Sequence, residues 1–126
     1  MPISFTYDHQ LKILFTTAKG PLSFAELLAH LDEEASAKAL QYRELVDASD
    51  ASTTLTSDEA KQLAWRMETM VRRGPFGPTA IVTTNDVVFG MARMLAIFSE
   101  LWDGPQISVF RSLDEGLGWL VHTSPE

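Results

Sequence analysis

Three times along this chain a hydroxyl residue stands three positions before a glutamate that is followed by further apolar residues: Ser23 with Glu26, Thr56 with Glu59, and Ser112 with Glu115. In a capping box the hydroxyl accepts from the third helical N–H while the glutamate reaches back to the cap's own N–H, so each pair marks a helix start. Behind Ser23, Phe24, Leu27, Leu28, Leu31 and Ala35 recur at helical spacing, while Glu26, Asp32 and Glu33 take other faces. Leu22 and Leu27 flank this start as a hydrophobic staple. Behind Thr56 the inward stripe is Ala60, Leu63, Ala64, Met67, Met70 and Val71. Asn85-Asp86 opens a further helix without a box.

The segments between these helices read as strands. Ile3, Phe5 and Tyr7 alternate with polar residues, and Leu11, Ile13 and Phe15 do so again after a turn, which predicts a hairpin ended by Gly20-Pro21. Residues 42–47 form a short buried strand followed by a turn-rich run over 48–54. Residues 80–82 and 107–110 supply two more strands, and Gly74-Pro75 stops the second helix, leaving Phe76 exposed. The order ββαβαβαβα calls for an α/β fold with a mixed five-stranded sheet and four helices. A chain of 126 residues supports one core, so residues 1–121 are expected to form one domain and residues 122–126 a frayed tail.

Charge and composition remove several functions. A net charge of -7, with Arg72-Arg73 as the one adjacent basic pair, opposes binding to a nucleic-acid backbone. The apolar run over residues 87–102 is interrupted by Arg93 and Glu100 and is too short to span a bilayer, so stable membrane insertion is not expected. Without cysteine there is no disulfide or thiolate site, and residues 1–7 lack the basic and apolar regions of a signal peptide. A cytoplasmic protein is expected. His9, His30 and His122 fall in a turn, on a helix and in the tail, with neither HExxH spacing nor a GxSxG elbow. No catalytic residue, metal ligand or cofactor is therefore assigned.

The element order, together with Tyr42-Arg-Glu-Leu-Val-Asp47 and Val88-Phe-Gly-Met-Ala-Arg-Met-Leu95, resembles the SpoIIAA-like family of the STAS (sulfate transporter and anti-sigma factor antagonist) superfamily. The resemblance implies a STAS-like α/β sandwich and a non-enzymatic regulatory or protein-interaction module. Anti-sigma factor antagonists carry a phosphorylated serine in an Asp-Ser-Ser-Gly-like motif at the helix after the third strand. The matching stretch here is Leu55-Thr56-Ser57-Asp58, so Thr56 and Ser57 are the candidate phosphoacceptors, although Leu55 and Asp58 depart from the motif. Comparison of such proteins with Sec14-type carriers implies the alternative, a carrier or sensor of a small apolar, lipid-like ligand.

Two further sets of residues stand out. Asp47, Ser49, Asp50, Asp86 and Arg111 are expected at or just past strand C-terminal ends, the edge where open α/β sheets hold ligands. Asx and Ser residues are also the ordinary turn and cap residues there. The second set is apolar: Trp65 falls opposite the core stripe of its helix, and Met91, Met94, Phe98 and Trp102 belong to an arc too wide for one sheet face. Phe89 and Arg93 line the remaining face. These residues are the candidate surface for self-association, a protein partner or an apolar ligand.

Overall fold

Five strands form one sheet that carries helices on both of its faces. The structure, a computed structural model, describes residues 3–123. Strands β1 (Ile3–Asp8) and β2 (Ile13–Leu22) pair antiparallel, and β3 (Arg43–Thr53), β4 (Thr79–Val82) and β5 (Ile107–Phe110) follow in parallel, in the spatial order β1-β2-β3-β4-β5. Helices α1 (Phe24–Ser36), α2 (Ser57–Val71) and α3 (Asp86–Leu101) each cross between neighbouring parallel strands. Right-handed crossovers that always advance in one direction stack their helices on one sheet face. Helix α4 (Leu113–Val121) returns to the opposite face, where Leu120 packs with Ile13, Leu45, Ala80 and Val82. It sits close because Gly116 has no side chain; a Cβ there would lie 2.8 Å from Val82.

Side-chain alternation divides the strands between these faces. Thr16 and Ala18 of β2, Glu44, Val46 and Ala48 of β3, and Thr79 and Ile81 of β4 point toward the α1–α2–α3 layer. The caps form largely as the sequence predicts: Ser23 and Thr56 complete capping boxes, and Asn85 accepts from Val87 and Val88. Leu22 and Leu27 pack in one cluster, as a staple requires. Ser112 accepts from the Glu115 N–H, but the glutamate meets its hydroxyl, so this third box is one-sided. Of the tail, Thr123 still bonds back to Leu120 and Trp119, and residues 124–126 lie outside the described residues.

Several local expectations are overturned. Gly20-Pro21 does not end β2, and β3 does not stop at Asp47. Instead Gly20, Pro21 and Leu22 pair with Ala51, Ser52 and Thr53 beyond an irregularity at Thr17/Lys19. The small residues of the turn-like run form a strand because Ala48 and Ala51 bury one face against Ile3, Ala18 and Val88. Phe76 is buried, packed with Leu31, Leu63, Met67 and Leu95, because Gly77 lets the loop close onto Tyr42. On α1 the inward residue is Glu34, with Ala35 exposed. On α3 the buried face is Val88, Ala92, Leu95 and Ser99, leaving Val87, Ile97 and Leu101 exposed. Ala92 and Ser99 share that buried face with Val88 and Leu95, so the face turned to the core is narrower than the apolar arc of the sequence.

Candidate functional site

Between the sheet and the α1–α2–α3 layer lies a cavity of about 140 Å³. Its walls are almost wholly apolar, drawn from Leu27 and Leu31 on α1, Leu63 and Met67 on α2, and Met91 and Leu95 on α3. Polar side chains gather at one end. There His30 and Glu34, one turn apart on α1, meet Glu44 near the start of β3 and Thr16 on β2. The Nε2 of His30 lies 3.3 Å from Glu34 Oε2 and 3.5 Å from Glu44 Oε2. The Thr16 hydroxyl donates to Glu44 Oε2. Donor atoms of the His30, Glu34 and Glu44 side chains all lie within 4.8 Å of one another.

Burial sets the electrostatics of this cluster: the side chains of His30, Glu34 and Glu44 are 12%, 2% and 9% exposed. Burial opposes a charge on His30, but hydrogen bonds to Glu34 and Glu44 and their negative charge outweigh it, raising its pKa to about 10. Burial pushes Glu34 up to about 8, reinforced by the neighbouring Glu44 and opposed by His30. For Glu44 burial acts in the same direction, yet hydrogen bonds from His30, Glu34 and Thr16 hold its carboxyl below the usual range. These shifts favour, at neutral pH, a proton on both His30 and Glu34 and a carboxylate on Glu44. His30 Nδ1 remains buried without a hydrogen-bond partner, and Glu34 Oε2 has only the long contact to His30 Nε2, which falls short of good hydrogen-bond geometry.

The sequence missed this site. His30 carried no motif, and Glu34 and Glu44 were not singled out. The readable signal was Glu34 falling one turn after His30 on the inward stripe, between Leu31 and the strand that brings Glu44.

The residues singled out from sequence occupy other places, Met91 excepted, which lines the cavity. Asp47, Ser49 and Asp50 lie within β3, not beyond its end, with Asp47 accepting from the Ser49 N–H. Asp86 and Arg111 are brought together, at 2.8 Å, and the Arg111 guanidinium lies 3.9 Å from the Phe89 ring centroid. No hydrogen bond or ion pair joins these two sets among the described residues. Thr56 is engaged as a cap, and Ser57 begins α2 on the exposed surface. Trp65 is 59% exposed and edge-on to Trp102, which stacks on Phe98. Met94 is half-buried and Arg93 exposed on α3. No helix among the described residues is long and apolar enough to cross a membrane.

No protein-family model and no curated protein sequence matches the chain. Among solved structures it is similar to an uncharacterized protein of the DUF3478 family with a SpoIIAA-like fold from Shewanella loihica PV-4, at a TM-score of 0.57 and 16% identity, covering 94% of this chain and 91% of that one. At that identity the likeness carries the architecture alone. With the mixed five-stranded sheet and the order ββαβαβαβα, it gives this chain a SpoIIAA-like fold.

Proposed function

We propose that the protein is a non-enzymatic, cytoplasmic binding module that holds a small, largely apolar ligand between its sheet and its α1–α2–α3 layer, with the ligand's polar end against His30, Glu34 and Glu44. The observation that carries this reading is the cavity itself. Apolar space of this size, about 140 Å³, forfeits packing contacts in a protein interior and is comparable to cavities that take up benzene. A mostly apolar wall with a few convergent polar groups is the usual make-up of a small-molecule site. The adaptable side chains of Met67 and Met91 suit a wall that must admit an occupant. Native mass spectrometry tests the reading: a small-molecule adduct lost on denaturation supports it. A bare polypeptide mass, with no thermal stabilisation by toluene, opposes it.

A second reading rests on a different observation, the exposed aromatic surface. Trp65, Trp102 and Phe98 form a continuous ring cluster, with Ile97 and Leu101 exposed on the same helix as Phe98. Large aromatics are enriched at protein interfaces. This surface suits self-association as a homodimer or docking of a protein partner, and it is compatible with a ligand-responsive regulatory module. Size-exclusion chromatography with light scattering distinguishes a dimer from a monomer.

A further inference from the structure

The polar end of the cavity combines three features that a buried ion-pair network does not require together. One imidazole nitrogen and two carboxylates converge, with His30 Nε2 3.3 Å from one glutamate oxygen and 3.5 Å from the other. In a tetrahedral site with metal–ligand distances near 2.0–2.2 Å, neighbouring donor atoms stand about 3.3–3.6 Å apart. The two separations from His30 are long for hydrogen bonds but match that edge, and all three donor atoms lie within 4.8 Å of one another. The second feature is Glu34: its side chain is 2% exposed and faces the cluster, and its Oε2, 3.3 Å from His30 Nε2, completes no hydrogen bond of good geometry. The third is Thr16, whose hydroxyl holds Glu44 from the strand side, as outer partners of metal ligands do.

We propose that His30, Glu34 and Glu44 form a binding site for one divalent transition-metal ion of the zinc class, with His30 Nε2 and one oxygen from each glutamate as protein ligands. Imidazole with carboxylate suits Zn²⁺ better than the hard ions Ca²⁺ and Mg²⁺, which prefer all-oxygen shells with more ligands. Three protein donors leave a coordination position for a further ligand, unlike closed four-ligand structural sites. That position adjoins the apolar cavity, so a ligand group held there would be shielded from bulk water. The metal site shares the cavity of the proposed binding module but does not depend on an apolar occupant.

The test uses the full chain, freed of metal by chelator and dialysed against Zn²⁺, with bound metal counted by elemental analysis. The expected result is one equivalent bound and a rise in melting temperature. Zn²⁺ displaces the protons that His30 and Glu34 carry in its absence; Glu34→Gln keeps the shape and a neutral hydrogen-bonding group but cannot become a carboxylate ligand, and it should weaken Zn²⁺ binding by about a hundredfold or more while the protein stays folded. Thr16→Val should weaken it by roughly tenfold through loss of the outer support. Failure of the wild type to bind Zn²⁺, or equal binding by wild type and Glu34→Gln, overturns the site. Should a variant not fold, Co²⁺ bound to the wild type decides the matter: hyperfine-shifted resonances from His30 and Phe5, whose rings are 5.8 Å apart, support it. Shifts centred on His9 or His122 overturn it. Because these measurements need no apolar ligand, failure of the binding-module reading and failure of the metal site are distinguishable.

Discussion

The imidazole of His30, on the inward face of α1, stands 3.5 Å from the carboxylate of Glu44 on β3 and ties the helical layer to the sheet at the cavity's polar end. A buried pair of this kind repays its desolvation only while both members are present, and removing one leaves the other charged and unpaired. Glu44→Gln is therefore expected to cost about 3–5 kcal/mol. Glu34→Gln, which replaces a carboxyl already holding its proton at neutral pH, should cost less than about 1 kcal/mol. Urea unfolding of the metal-free protein at pH 7 measures both. Equal costs would contradict the assignment of the anion to Glu44.

The same cluster predicts an unusual dependence of stability on pH. Glu34 keeps its proton in the folded state up to about 8, above the ordinary 4.5, so its contribution falls as pH rises through that interval. His30, raised from 6.5 to about 10, contributes stability that is fully present below 6.5 and lost as pH rises through 10. Glu44, held low, contributes stability above its unfolded value that is lost as pH falls toward its folded one. The cluster favours folding most at mildly acidic pH, and each proton changes stability by up to about 1.4 kcal/mol per pH unit. Urea midpoints of the chelator-treated wild type should decline from about pH 5 to about pH 9, and Glu34→Gln should flatten the first part of that decline. A rising profile would contradict the account.

Thr56 caps α2 while its hydroxyl also meets the Glu59 carboxylate. Thr56→Ala should cost about 1 kcal/mol through an unsatisfied helix N-terminus, and Ser57→Ala, on the exposed first turn, close to nothing. Chemical denaturation checks both, and an equal loss at Ser57 would show that it, too, has a structural task.

Trp65 is the exposed anchor of the aromatic surface. If the protein self-associates through it, Trp65→Ser should weaken the dimer by about 2 kcal/mol or more, as interface anchors do. Light scattering across a dilution series measures this; an unchanged oligomer would place any interface elsewhere.

The element order was legible because caps, staples and alternation are local signals, and Ser23, Thr56 and Asn85 act where those signals placed them. The extension of β3 was not, since the run from Ala48 to Thr53 has turn chemistry and becomes a strand only by pairing with Gly20, Pro21 and Leu22. Phe76 misled for the same reason: its burial depends on Leu31, Leu63 and Leu95, remote in sequence. The outward position of Trp65 was readable from its helix face. The polar cluster was hidden because Glu44 sits on a strand and His30 on a helix, so no spacing along the chain announces that they meet.

Uptake of an apolar molecule beneath α1, α2 and α3 is read out by a toluene titration followed by methyl NMR. Saturable shifts are predicted for Leu27, Leu31, Val46, Val88 and Leu95, which line the cavity, with little change at Leu120 on the other sheet face. Ala92 also lines the cavity, so Ala92→Leu should fill it, cost less than about 1 kcal/mol and abolish those shifts. Absence of shifts in the wild type, together with an overpacking cost of about 1–3 kcal/mol for Ala92→Leu, would show a closed core and contradict the account.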